Sequence, residues 1–206
     1  MTISTAELNH LKKAPPSAIL SVFRHRWSPR AFTDQPVSPA DLATIFEAAR
    51  WAASSYNEQP WRFILGTQGS DTYTKIHGAL IPFNQQWAGK APVLILGTAK
   101  TTFSHNNAPN RVALFDLGAA ASYLTLQASS MGLAAHQMGG FDESAARAAF
   151  AIPDEFLLGS VIALGYQAEP SALTNPQMLA QETAPRERKR LKDIVFSSWG
   201  TPADLG

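Results

Sequence analysis

Two guanidinium groups flank a hydroxyl in Arg26-Trp27-Ser28-Pro29-Arg30. A guanidinium presents N–H groups in a planar fork that matches two phosphate oxygens, so this spacing suits a terminal phosphate. The same residues also read as a solvated turn. A second basic run, Arg186-Glu187-Arg188-Lys189-Arg190, is either solvated surface or the other half of one phosphate site, which would explain why each run is short. A different chemistry is offered by Asn57-Glu58-Gln59-Pro60-Trp61, at the junction of an Ala-rich helical segment and the apolar run Arg62-Phe63-Ile64-Leu65. Side-chain amides there can meet the polar edge of a planar ligand without bringing charge to it. Just upstream, Ala52-Ala53-Ser54-Ser55 is small enough either to let a flat group approach the backbone or to allow close helix packing.

Other chemistries find little support. The chain has no cysteine, which removes disulfides, thiolate nucleophiles and cysteine-ligated iron–sulfur clusters, so redox work would need a bound cofactor. Its histidines stand at positions 10, 25, 77, 105 and 136, and none forms a close ligand pair. Nucleophile elbows, P-loops and dinucleotide turns are missing, and Gly139-Gly140 alone indicates nothing specific.

The elements that would hold these residues follow from periodicity. Residues 1–16 read as a polar arm or short helix ending at Pro15-Pro16, and Ala18–Phe23 as a helix delivering the first arginines to a turn at Pro29. Ser38-Pro39-Ala40-Asp41 is a helix start, with a capping hydroxyl, proline at N1 and a carboxylate at N3. Leu42, Ile45, Phe46 and Ala49 then recur on one helical face. Strands are expected at 61–65, stopping at Gly66, at 91–97, covered on both faces, at 133–138 and at 161–166, with a short fifth at Asp193–Phe196. Further helices are expected at 72–80, at 111–130 and, capped by Asp142, at 143–151; 101–110 reads as a loop. The pattern is α+β, with helices around a central sheet and no βαβ repeat.

At 206 residues the chain has room for one sizeable domain, 1–206, with an N-terminal arm (1–17) and a C-terminal extension (186–206). Hydrophobic residues are 45% and charged ones 16%, leaving apolar surface that a subunit interface would use. The formal charge of +1 is unevenly spread, since ten of seventeen basic residues fall within 12–30 and 186–192. Those runs are too short for a nucleic-acid surface and favour a small phosphorylated ligand. Without a signal-length or membrane-length apolar run, the chain is expected to be soluble and cytoplasmic, with no membrane partner.

In order along the chain, Arg26-x-Ser28-x-Arg30, Ser55-Tyr56-Asn57-Glu58-Gln59-Pro60-Trp61, Lys90-Ala91-Pro92, Asp116-Leu117-Gly118, Met131-Gly132-Leu133, Gly139-Gly140-Phe141, Ile152-Pro153, Leu164-Gly165-Tyr166 and Arg186-x-Arg188 resemble the FMN-dependent nitroreductase family. The likeness runs from about Ile19 to Phe196. It implies a three-layer α-β-α sandwich around a mostly antiparallel sheet, and a homodimer with FMN at the subunit interface. It further implies that Arg26, Ser28, Arg30, Arg186 and Arg188 hold the phosphate and ribityl end, with Ser54, Ser55, Asn57 and Gln59 at the flavin's polar edge. Gly139 and Gly140 would present backbone N–H groups to flavin N5, so no catalytic side chain and no metal is required. The implied activity is hydride transfer from NADH or NADPH through FMN to an electron-poor acceptor such as a nitroaromatic or quinone; a non-catalytic flavin-binding or storage protein is the alternative. Phe83, Trp87, Phe103 and His105 are candidates for walls of the acceptor site. Two departures from the family pattern are Trp27, where a polar or basic residue is frequent, and the late basic element, where Arg190 could replace Arg186 at the phosphate.

Overall fold

The computed structural model describes residues 3–15 and 18–205. Eight helices occur among them: α1 (Thr5–Lys12), α2 (Ser21–His25), α3 (Pro39–Arg50), α4 (Asp71–Ala79), α5 (Pro82–Ala88), α6 (Ala113–Ser130), α7 (Glu143–Phe150) and α8 (Pro176–Thr183). Four strands, β1 (Trp61–Thr67), β2 (Val93–Lys100), β3 (Ala134–Met138) and β4 (Phe156–Gly165), form one antiparallel sheet in the order β1-β2-β4-β3. β1 and β3 are therefore the two edges.

Alternation along the strands sends side chains to two separate cores. Leu94, Leu96, Val161, Ala163 and Met138 meet Tyr73, Ile76, Trp87, Ala88, Ala146 and Met178 from α4, α5, α7 and α8. Val93, Ile95, Ile162, Leu164 and Ala135 meet Leu42, Ile45 and Ala49 of α3 and the Leu117, Ala121, Leu124 and Ala128 stripe of α6. Because both faces are covered, β2 is buried along nearly its whole length, and the chain is a three-layer α-β-α sandwich of the α+β class. Alanines on α6 keep its axis close to α3 and to the sheet.

Local chemistry fixes several boundaries. Ser38 caps α3 by accepting from the Asp41 N–H, with Pro39 in the first turn, and Asp142 caps α7 through the Ala145 N–H. The N-terminal segment is a docked helix: Ser4 and Glu7 form a reciprocal capping box, and Leu8 is fully buried. Its expected end at Pro15-Pro16 reaches Pro16, outside the described residues. α5 and α8 were not expected; each begins with proline at N1 but is too short to display a periodic face.

The expected fifth strand at Asp193–Phe196 does not join the sheet. Leu191–Asp193 is a 3-10 turn closed by an Arg190–Asp193 ion pair at 2.9 Å. Beyond it, β5 (Phe196–Ser198) pairs only with β6 (Thr201–Pro202), across a turn in which Gly200 has φ of 82°. A short apolar run cannot reveal whether a sheet edge is within reach, and this one has none.

At Gly66 the chain needs space. A Cβ there would lie 2.6 Å from the backbone of Tyr73, where α4 crosses β1. Gly66→Ala should therefore lower stability by about 1–3 kcal/mol. Gly78→Ala is the contrast, because a Cβ at that helical position meets nothing within 4 Å; it should raise stability by up to about 1 kcal/mol. Urea unfolding of both variants checks the pair, and equal effects would mean that close approach does not govern Gly66.

Candidate functional site

The segment following α2 runs extended. Its residues 31–33 continue the end of β4 through Thr33 N–H to Tyr166 O at 2.9 Å and Ala168 N–H to Ala31 O at 3.0 Å. Extended backbone alternates faces, so Arg26, Ser28 and Arg30 share one side and Trp27 takes the other. Trp27 turns to α1, donating from Nε1 to Asn9 Oδ1 at 2.9 Å with the Lys12 ammonium 4.8 Å from its ring. The unusual tryptophan therefore anchors the arginine segment from behind. On the front, Arg26 Nη1 donates to Ser28 Oγ at 3.3 Å.

Arg186 reaches back across the chain, donating to the carbonyls of Arg26 and, at 3.0 Å, Arg24. It fastens the C-terminal segment to the arginine segment. Burial first, and then the charge of Arg188, pushes Arg26 below the usual arginine range; Arg186 is lowered by burial and by both Arg188 and Arg26. The charges acting on these two side chains are thus those of other arginines, an arrangement that an anion would relieve. Arg190, held in its bidentate pair with Asp193, is committed elsewhere.

Glu182 of α8, missed in the sequence, holds Arg30. At 1% exposure, its carboxylate accepts from the Arg30 N–H at 3.0 Å and from the Ala31 N–H at 3.3 Å. Burial raises its pKa, opposed by those N–H groups and by the Arg30 and Lys12 charges. His136 of β3 lies beneath the segment, with Nδ1 2.9 Å from Pro29 O. Because a carbonyl only accepts, Nδ1 carries the proton.

Gly139 and Gly140 follow β3. The Gly140 carbonyl accepts from Asn84 Nδ2 at 2.9 Å and from the Ile81 N–H at 3.2 Å. A Cβ on Gly140 would lie 2.7 Å from Ile81 and 2.8 Å from the Asn84 amide, whereas one on Gly139 would enter open space. Asn84, buried on α5, is a second polar residue that the sequence reading did not single out, and its neighbour Phe83 lies 5.9 Å under the Arg30 guanidinium. At the β3 edge Arg26 thus lies with Ser28, Arg186 and Arg188, while Arg30 reaches Phe83, whose neighbour Asn84 bonds Gly140.

The amide segment lies elsewhere, before β1 at the opposite edge. Tyr56, Asn57 and Gln59 have φ of 52°, 56° and 51°, a left-handed conformation that costs non-glycine residues energy. Fixed partners hold it. Gln59 N–H donates to Ser54 Oγ at 2.9 Å, Ser55 N–H to the buried Asp116 carboxylate at 3.1 Å, and Ser104 N–H to Glu58 at 2.9 Å. Three of four successive residues are thus strained, and Asn57 among them is exposed. Three sheet spacings, about 14 Å or more, separate β1 from β3, so a single chain does not bring the two groups together.

The aromatic candidates divide. Trp87 is a core residue at 1% exposure, stacked on Phe32 and with its ring 4.6 Å from that of His136. Phe103 and His105 instead gather with Tyr56, at ring separations of 5.5 and 5.8 Å from it, beside Asn57.

Residues 23–79 and 69–166 match the family model described as Nitroreductase family. An uncharacterized 15.4 kDa protein of Mycolicibacterium smegmatis is 35% identical over 150 residues, covering 68% of this chain and 99% of that protein. A protein of Xanthomonas oryzae pv. oryzae, provisionally named an NADH dehydrogenase/NAD(P)H nitroreductase, is 28% identical over 188 residues, with 82% of this chain and 95% of that protein covered. Among solved structures, one described as an oxidoreductase containing FMN superposes with a TM-score of 0.85 at 34% identity, covering 93% of this chain and 97% of the other.

Burial pushes the His136 imidazole down to about 4, aided by the Arg30 and Arg26 charges and opposed by its backbone partners. The unfolded chain binds this proton near pH 6.5 and the folded chain only near 4, so between those values the unfolded state holds more protons. Stability should fall by about 2–3 kcal/mol as pH drops through that window. In His136→Gln, urea unfolding at pH 7, 5 and 4 should show a flatter profile. An unchanged slope would remove His136 as its source.

Proposed function

The chain belongs to the nitroreductase family, and we propose that it is an FMN-dependent oxidoreductase acting as a homodimer. The observation that carries this reading is the cluster of Arg26, Arg186 and Arg188, whose charges act on one another beside a hydroxyl. The residues fit the cofactor: like-charged guanidinium groups want an anion, and Gly139 borders open space where a ring can approach the backbone. A solved relative described as containing FMN supports the choice of flavin.

Bound FMN would supply the two-electron chemistry, taking hydride from NADH or NADPH and yielding it to an electron-poor acceptor such as a nitroaromatic or quinone. Arg26, Ser28 and Arg188 hold the phosphate end, while Arg186 keeps their backbone in place through the carbonyls of Arg24 and Arg26. Arg30, whose backbone is set by Glu182, would add a further positive charge to the bound cofactor's surroundings. Gly139 and Gly140 contribute backbone donors without side chains that would block approach.

Ser54, Ser55, Asn57 and Gln59 belong to the same site only if a second copy supplies them. Apolar surface supports such a pairing. Phe115 of α6 is 79% exposed and Trp199 of the tail 97%, and Phe23, Leu114, Tyr123, Leu191 and Ile194 are also exposed. That surface suits an obligate interface in which the tail beyond Arg190 embraces the partner. No helix among the described residues is long and apolar enough to cross a membrane.

Arg26→Ala should weaken FMN binding about tenfold to a hundredfold, since charge-assisted bonds contribute roughly 1.5–3 kcal/mol, and leave riboflavin binding unchanged. Titration of cofactor-free protein with both compounds reads the preference; if the variant still favours FMN as strongly, the phosphate assignment is wrong. Anaerobic mixing with NADH and with NADPH should bleach the visible flavin band, and a band that persists with both would favour flavin storage over catalysis.

Asn57→Ala should weaken flavin binding or slow reduction while light scattering still gives about 45 kDa, twice 22.3 kDa. A yellow, active monomer would contradict the shared site.

A further inference from the structure

Past Arg186 the chain has little to hold it. Residues 187–194 and 196–202 are exposed, and the half-buried Val195 and Ala203 bond to each other, Ala203 N–H to Val195 O at 3.0 Å. The hydrogen bonds of residues 187–203 are internal to that stretch, as in the Arg190–Asp193 pair and the bond from Arg188 Nη1 to Glu187 O at 2.7 Å. What ties the segment to the body is the half-buried Arg186, whose guanidinium donates to the carbonyls of Arg26 and, at 3.0 Å, Arg24. A segment with so few buried groups opens at a small free-energy cost.

Fastening that segment brings like charges together. Arg188 acts on Arg26 and Arg186, Arg26 acts on Arg186, and Arg186 acts on Lys12 of α1. No ion pair among the described residues includes Arg26, Arg186 or Arg188. Arg26 directs Nη1 to Ser28 Oγ at 3.3 Å, and a guanidinium carries further donors beyond that one. The body contributes Arg26 and Ser28 to the cluster, and the segment contributes Arg186 and Arg188. Both halves are together only while the segment is fastened, so an anion that bridges them binds that state more tightly and stabilises it.

We propose that the segment from Arg186 onward is a strap that a phosphate group closes. Phosphate oxygens shared by Arg26 of the body and Arg188 of the strap offset the repulsion and keep Arg186 on its carbonyls. Because linkage is reciprocal, a fastened strap binds phosphate more tightly than a released one. The strap rests on the FMN reading only for the source of the phosphate, which FMN carries and free phosphate also offers.

The chain has no cysteine, so Lys189→Cys gives a single attachment point for a nitroxide at an exposed residue of the strap. Its electron paramagnetic resonance spectrum separates a slowly turning, fastened label from a fast, released one. Full-length protein stripped of cofactor is titrated with inorganic phosphate, with FMN and with riboflavin. Phosphate and FMN should each raise the ratio of fastened to released label, roughly tenfold at about ten times the dissociation constant, and riboflavin should leave it unchanged. Two further substitutions on this background move the label in opposite directions in anion-free buffer. Arg186→Gln should release it, whereas Arg188→Gln, by removing a like charge, should favour the fastened form yet weaken the phosphate response about tenfold. A label fastened equally with and without anion would mean that other contacts hold the segment, and would overturn the strap. A riboflavin effect equal to that of FMN, or a full phosphate response in Arg188→Gln, would overturn it as well. FMN binding with an unmoved label would sink the strap and leave the proposed function standing, whereas a phosphate response in protein that does not bind FMN would do the reverse.

Discussion

A buried carboxylate governs how the arginine segment sits. Glu182 comes from α8, in the outer layer, yet its oxygens end on the N–H groups of Arg30 and Ala31, where the chain joins the end of β4. Removing a carboxylate from water costs several kcal/mol, and only well-placed donors and charges offset that cost. Here the donors are backbone groups, which cannot rotate away, and the charges are those of Arg30 and Lys12. One side chain thereby ties α1, α8 and the arginine segment together, and the face carrying Arg26, Ser28 and Arg30 inherits its direction from that tie. His136 and Arg186 complete the fastening by bonding the carbonyls of Pro29, Arg26 and Arg24, the last of which also accepts from the Ala14 N–H.

The segment before β1 solves the opposite problem. Left-handed residues at 56, 57 and 59 are unfavourable in isolation, and bonds from the Gln59 and Ser55 N–H groups and to the Glu58 carboxylate hold them. Asp116 is central to that arrangement. It is buried on α6, the helix that also covers the sheet, so the turn is held by the layer that forms the core rather than by its own sequence. Rigid scaffold and strained turn are thus parts of one construction, and Asn57 is presented without having to pack.

Placing these two constructions at opposite edges of a four-stranded antiparallel sheet has a physical consequence. Among the described residues no further strand joins either edge of the sheet, and α6 and the C-terminal tail expose aromatic side chains. In the proposed homodimer, the second copy would cover apolar surface and set the amide segment of one chain against the arginines of the other. The low fraction of charged residues leaves apolar surface that such a contact would use.

Much of this was legible in the residues. The cap at Ser38, the continuous apolar run of β2 and the helical stripe of α6 are decided by neighbours three or four positions away, so periodicity reveals them. The shared face of Arg26, Ser28 and Arg30 was not legible there, because the sequence suggests a turn at Pro29 where the structure runs extended. Tertiary structure decided what spacing cannot carry. Nothing local distinguishes Glu182 from any helical glutamate, and its role exists only because α8 lies against residues about 150 positions away in sequence. Trp87 looked like a candidate wall and is core, since the side of α5 that faces the sheet depends on how its short turn is docked. The strand expected near Asp193 failed for the same reason: whether an apolar run pairs with a sheet is settled by which edge lies within reach, and reach is a property of the fold.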